Sequence, residues 1–229
     1  MKIVSFGDSF VFGSELQNNP TGDQAWASIA ARQLGAEYQT LSVPGCGNEN
    51  IARQIFTYFS ENTVEDTLAV INWTWAIRYD MYLTANESWV TLGPTCVPRK
   101  LESAIPHSEA EKLIEFYNNY AGHSTIWDRY RTLQAMYAAQ QYLKSRGITN
   151  IQTHMDFELF ETQWHAPNYI QELQNITKQE LKTFEGKNFL DWSYSRGFAV
   201  TDLGWHPLEE AHQAACELWV NKYAELIKK

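Results

Sequence analysis

Cysteine is scarce in this chain. Cys46, Cys96 and Cys216 make no disulfide framework, and the absence of a Cys-x-x-Cys pair excludes a zinc site of that kind. Long apolar runs are also missing. The N-terminal apolar stretch after Lys2 is cut by Asp8, so we read neither a secretory signal nor a transmembrane helix. A reducing cytoplasm is the default expectation. Basic residues are outnumbered, 18 Lys and Arg against 27 Asp and Glu. The resulting net charge of −9 argues against a nucleic-acid backbone and against docking on an anionic membrane. There are no repeats, no low-complexity tracts and no linker.

What remains is the composition of a globular chain, with 44% hydrophobic and 20% charged residues. At 229 residues it is long enough for one sizeable α/β domain and barely for two. Nine tryptophans are many. They suit either a bulky core or a flat surface on which a sugar or another ring-bearing ligand stacks.

The pattern predicts strands alternating with helices, hence a three-layer α/β/α domain around a parallel sheet. Strands are expected at residues 2–6, Tyr38–Val43, Thr67–Trp73, within Ile148–Phe157, and as a short fifth strand at Phe189-Leu190. The third run is almost continuously apolar, as in a strand covered on both faces. Helices are expected over Asp23–Leu34 with Gly35 as its stop, after the Pro44–Asn48 turn through Phe59, over Ser124–Arg146, over 168–185, and from Pro207 to the end. Residues 84–108, which hold Pro94, Pro98 and Pro106, read as irregular. They belong to a cap insertion spanning about 84–123 within a single domain, 1–229.

Two motifs carry chemistry. Gly7-Asp8-Ser9-Phe10 follows the first strand, and His206-Pro207-Leu208-Glu209-Glu210-Ala211-His212 opens the last helix. A serine hydroxyl is a weak nucleophile until a base removes its proton, and imidazole suits that task. These motifs resemble the first and last blocks of the SGNH (GDSL-type) hydrolases. Phe10 stands where Leu is usual, and Ala211 where Gly is common. The resemblance covers both ends of the chain and leaves the middle poorly matched. It implies a flavodoxin-like fold, ester hydrolysis through an acyl-serine intermediate, Ser9 as nucleophile and His206 as base. It implies no metal and no organic cofactor.

The remaining site residues follow from the same resemblance. The family's Asp-x-x-His spacing would put the acid at Leu203. Asp202 stands one residue further off, where Gly204 could absorb the difference; otherwise a backbone carbonyl orients the imidazole. Gly45, with Gly47 as a near neighbour, matches the glycine whose N–H faces the oxyanion, alongside the Ser9 N–H. For the side-chain donor the family has Gly-x-Asn-Asp after the third strand. Here Val70-Ile71-Asn72-Trp73-Thr74-Trp75 offers Asn72 first, with Thr74 and Asn48 as alternatives. Asp8 reads as structural, accepting backbone N–H bonds at its turn. Arg78 reads as salt-bridged or as a binder of an anionic substrate group. Trp73, Trp75 and Trp205 read as core or as walls of an acyl or sugar pocket. His212 reads as a packing residue, and His107, His123, His154 and His165 as surface or satisfied core histidines.

The expected partner is a small-molecule or carbohydrate ester, most readily a short acyl such as acetyl. A non-catalytic binding module on the same scaffold and an acyltransferase are the alternatives.

Overall fold

In the computed structural model, residues 18, 85–86, 99–100, 102–103, 122–124, 161–165, 203 and 228–229 lie outside the described set; all others are described. The elements run β1 (Lys2–Gly7), α1 (Ser9–Phe12), α2 (Trp26–Gln33), β2 (Glu37–Thr40), α3 (Asn48–Glu61), β3 (Thr67–Trp73), β4 (Tyr79–Leu83), β5 (Ser88–Leu92), α4 (His107–Phe116), α5 (Thr125–Ser145), β6 (Thr149–His154), α6 (Phe157–Phe160), α7 (Asn168–Lys178), α8 (Phe189–Ser195) and α9 (Glu209–Ile227).

Four parallel strands form the main sheet in the order β2-β1-β3-β6. Side chains alternate across it with the two-residue period of a strand. Ile3, Leu68, Val70 and Ile151 face one core with Trp26, Ala215 and Trp219 of α2 and α9. Val4, Phe6, Ala69, Ile71 and Trp73 face the other with Ile55, Leu133 and Ile170 of α3, α5 and α7. Both faces are therefore covered, which is why β3 is buried at every position. This is the α/β/α arrangement that the sequence pattern implies. Chain order reverses between β1 and β3, and in open α/β sheets the ligand crevice lies at the carboxyl ends of such neighbours.

Tryptophan divides between the two cores and the surface, where Trp89, Trp127 and Trp205 are exposed. Trp26, Trp73, Trp192 and Trp219 are buried, and Phe184 contacts the rings of Trp26, Phe189, Trp192 and Trp219. His212 joins the two outer helices of one layer. Its Nδ1 accepts the Trp26 N–H at 3.1 Å, at the open N-terminus of α2.

Several predicted elements differ: the helix expected over 168–185 ends at Lys178, and the strand expected to run to Val43 ends at Thr40. Phe189-Leu190 is not a strand; it begins α8, because Asn188 caps that helix by accepting the Asp191 N–H at 2.8 Å. Beyond β6, among the described residues, the sheet continues as a bridge, Gln152 to Leu181, with Lys182 N donating to Gln152 O at 2.7 Å. The stretch 84–108, expected to be irregular, holds β5 and the start of α4. β4 and β5 form an antiparallel hairpin, and together with α4 they enclose a separate apolar cluster that includes Val90, Leu92, Leu101, Ile105 and Tyr117. Asp80 of the hairpin ties it to the main domain, accepting the Gly47 N–H at 3.0 Å and the Asn50 N–H at 2.8 Å at the N-terminus of α3. Among the described residues, no helix is long and apolar enough to cross a membrane.

Candidate active site

β1 delivers the Gly-Asp-Ser motif to the carboxyl end of the sheet. Gly7 lies beside Asn72 in the β1–β3 register and has φ 151°. A Cβ there would stand 2.6 Å from Val11 Cγ1 and 2.7 Å from the Asn72 carbonyl, so only glycine lets the chain turn this tightly against β3. Asp8 then caps α1, accepting the Phe10 N–H at 3.0 Å, and Gly13 ends the helix in the left-handed conformation. Ser9 is the first helical residue and is 5% exposed. Among the described residues its hydroxyl has no hydrogen-bond partner.

Asp8 is the hub beneath the serine. It is wholly buried, and its Oδ1 also accepts from Asn72 Nδ2 at 3.3 Å. Its Oδ2 accepts from the Thr74 hydroxyl at 2.7 Å and from Arg78 Nη1 at 3.0 Å. A buried carboxylate keeps its charge only with donors of this kind around it. The same Arg78 nitrogen donates to the Cys46 carbonyl at 3.0 Å, linking the Ser9 turn to the loop after β2. Arg78 is therefore a salt-bridged residue, and its guanidinium lies 4.9 Å from the Trp75 ring.

The proposed side-chain donors of the oxyanion site are all engaged in this support. Asn72 is 2% exposed, and its amide is held between Asp8 and the Thr153 hydroxyl, from which its Oδ1 accepts at 2.8 Å. Thr74 donates to Asp8. Asn48 grips the Thr74 backbone, donating to its carbonyl at 3.0 Å and accepting its N–H at 2.8 Å. Gly45 is placed differently. Pro44-Gly45 forms the middle of a turn closed by Cys46 N to Val43 O at 3.1 Å, with Gly45 at φ 82°. That is the position at which a type II turn needs glycine. The turn sits against β1, since Val43 N donates to the Gly7 carbonyl at 2.8 Å and Cys46 Sγ to the same oxygen at 3.3 Å. Gly45 itself is exposed.

His206 arrives from the other end of the chain. Its ring centroid is 5.0 Å from that of Phe10, the residue after Ser9. Phe10 in turn meets Trp75 edge-on at 5.4 Å. Thr201 and His206 face each other across a closed loop. Thr201 N donates to the His206 carbonyl at 3.0 Å, His206 N donates to the Thr201 hydroxyl at 3.1 Å, and Val200 pairs with Pro207. This pairing turns Asp202 outward. Asp202, expected to orient His206, is exposed and has no hydrogen bond or ion pair among the described residues. Instead Glu15 Oε2 lies 3.1 Å from His206 Nδ1. The approach is off the hydrogen-bond axis, and Nδ1, shielded from solvent, has no hydrogen-bond partner. The Thr201 hydroxyl holds the Glu15 carboxyl below its ordinary range against the opposing effect of burial, with His206 adding to the lowering.

The sequence reading missed Glu15. A polar residue soon after the first motif carries no signal by itself, and its use depends on the left-handed conformation it adopts, φ 68°.

The other candidates divide cleanly. Trp73 is core, donating from Nε1 to Gln152 Oε1 at 2.9 Å, while Trp205, beside the histidine, is 62% exposed. His212 and His154 are buried and neutral, their imidazoles pushed down to about 3 and about 4 by desolvation. His107 is a surface residue paired with Glu111 at 3.4 Å. His123 and His165, like Leu203, lie outside the described residues.

No protein-family model matches the sequence, and no match was found among curated proteins. Solved structures do match along the whole chain. A member of the lipolytic protein G-D-S-L family from Veillonella parvula aligns over 98% of each chain, at 10% identity and TM-score 0.52. The psychrotrophic esterase EstA from Pseudoalteromonas aligns over 100% of this chain and 99% of its own, at 10% identity and TM-score 0.51. A carbohydrate esterase described as having divergent catalytic and non-catalytic binding functions covers 98% of this chain and 64% of its own, at 12% identity and TM-score 0.54. At such identities the likeness is one of fold, and it agrees with the two terminal motifs: the chain has the fold of the SGNH (G-D-S-L) hydrolases.

Proposed function

We propose that the protein is a serine esterase acting on a short-chain ester, most readily an acetyl group, of a carbohydrate or other small molecule. The observation that carries this reading is the meeting of the two ends of the chain, Ser9 on α1 with the His206 ring packed against its neighbour Phe10. In the reaction, Ser9 Oγ attacks the ester carbonyl carbon while His206 Nε2 takes the hydroxyl proton. The oxyanion faces the Ser9 and Gly45 backbone N–H groups, whose dipoles are fixed before the reaction begins. The tetrahedral intermediate collapses, and His206 returns the proton to the departing alkoxide. Water, deprotonated by the same imidazole, then releases the acid from the acyl-serine. No step needs a metal or an organic cofactor.

The substrate class rests on the rim. Exposed Trp205 next to the base offers a face for a sugar ring. The hairpin β4–β5 with α4 forms the cap of the same domain in this reading. Three free thiols, two of them buried, suit a reducing cytoplasm.

One feature favours a second reading, a non-catalytic binding module. Thr74 and Asn48 are committed to supporting bonds, and Asn72 gives one of its two amide N–H groups to Asp8, which leaves its second N–H as the one side-chain donor of the three still open to the oxyanion. The deciding experiment is p-nitrophenyl acetate hydrolysis near pH 8, with phosphonate labelling of Ser9. The esterase reading expects activity that falls at least about a hundredfold in both Ser9→Ala and His206→Ala. Equal background rates in all three proteins, with no labelling of Ser9, would count against the esterase reading and favour the binding module.

A further inference from the structure

We propose that Glu15, not Asp202, is the carboxylate that positions the base, so that nucleophile and acid flank the short helix α1 and the imidazole comes to both from the far end of the chain. This rests on the esterase reading. Four observations on different atoms lead to it.

First, Glu15 Oε2 is 3.1 Å from His206 Nδ1, a nitrogen shielded from solvent that has no hydrogen-bond partner. Second, Gly204 closes over this pair. A Cβ at Gly204 would stand 2.4 Å from Nδ1 and 2.7 and 2.8 Å from the two Glu15 oxygens, so the loop is built to approach both partners at once. Third, the backbone is bent at both partners. Glu15 and Trp205, the residue before His206, are two of the five non-glycine residues with positive φ among the described residues, at 68° and 52°. A bulky residue in that region is uncommon, and such strain persists where the surroundings enforce it. Fourth, Asp202 is exposed at the tip of the loop whose base the Thr201–His206 pairing fixes.

A carboxylate at Nδ1 selects the tautomer that carries its proton there. Nε2 is then left with a lone pair to take the Ser9 proton, and the carboxylate stabilises the imidazolium that forms. Glu15 acts through His206 and is a positioning residue. Its side chain is 41% exposed, so water screens the pair. The effect of losing it is therefore smaller than the roughly 10⁴-fold known for a buried acid in this role.

The test compares Glu15→Gln, Glu15→Asp and Asp202→Asn with wild type, using p-nitrophenyl acetate kinetics and ¹⁵N NMR of the histidine ring nitrogens, with His206→Gln to assign the signals. Glu15→Gln should lower kcat about ten- to a hundredfold with KM within about twofold, Glu15→Asp should recover part of the loss, and Asp202→Asn should stay within about twofold of wild type. In the spectra, Glu15→Gln should move His206 away from the Nδ1–H tautomer and Asp202→Asn should not. Unchanged kcat and tautomer in Glu15→Gln, or an equal loss in Asp202→Asn, overturns the assignment. The tautomer readout needs no turnover. A wild type without esterase activity would therefore count against the esterase reading, while the spectra would still decide the role of Glu15.

Discussion

Replacing Asp8 by alanine tests the hub beneath the serine most severely. Asp8 is wholly buried and accepts from Phe10 N, Asn72 Nδ2, Thr74 Oγ1 and Arg78 Nη1. Loss of the cap on α1 costs about 1 kcal/mol. Stranding the Thr74 hydroxyl and the Asn72 amide, 1% and 2% exposed, costs about 1 kcal/mol each at the least. Breaking a fully buried ion pair would cost about 3–5 kcal/mol. Arg78 is 18% exposed on its side chain and keeps the Cys46 carbonyl, so about 1–2 kcal/mol is the appropriate share here. The expected loss is about 4–5 kcal/mol, a large part of the roughly 5–15 kcal/mol that stabilises an ordinary domain. Urea unfolding followed by tryptophan fluorescence, with linear extrapolation, measures it. Removing both charges in Asp8→Ala/Arg78→Met should cost less than the two single losses together, by about 1 kcal/mol or more. A loss in Asp8→Ala below about 1.5 kcal/mol, or strict additivity in the cycle, would refute the hub as described.

Gly204→Ala should drive a methyl between His206 and Glu15, lowering kcat at least about tenfold while shifting Tm by only a few degrees, since the loop is at the surface; kinetics with calorimetry separates the two effects. Gly47→Ala should destabilise the fold by about 1–3 kcal/mol, because the new Cβ meets Asp80 Oδ2 at 2.5 Å and displaces the carboxylate that caps α3; urea titration measures it. His212 has its imidazole pushed down to about 3 in the folded chain, below the ordinary value near 6.5. The unfolded chain therefore binds the extra proton first. Stability from this group is full above about pH 6.5 and declines as pH falls towards about 3. His212→Asn, which offers Trp26 N another acceptor, should flatten that part of the stability–pH curve; an unchanged slope counts against a buried neutral His212.

Local signals were legible where a single segment determines the outcome. The nearly continuous apolar run Thr67–Trp73 is β3 residue for residue, because a strand covered on both faces needs no polar alternation. Pro44-Gly45 is a turn because those two residues prefer that geometry wherever they stand. Phe189-Leu190 misled because a two-residue apolar pair fits strand and helix alike, and the cap at Asn188 decided between them. The three donor candidates illustrate a different limit. Asn72, Thr74 and Asn48 are each chemically able to donate to an oxyanion, yet the register of β1 against β3 commits the first two to Asp8 and the third to the Thr74 backbone.

The sequence by itself determined the layered α/β architecture, the serine at the end of the first strand and the histidine before the last helix, since periodicity and short motifs are written in consecutive residues. Tertiary structure alone decided which carboxylate faces that histidine. The spacing of Asp202 points to His206, but the pairing of Thr201 with His206 leaves it exposed to solvent, and Glu15 reaches Nδ1 from the opposite end of the chain through a left-handed turn. Contacts between residues so distant in sequence are set by how the sheet and helices pack, and no local pattern encodes them.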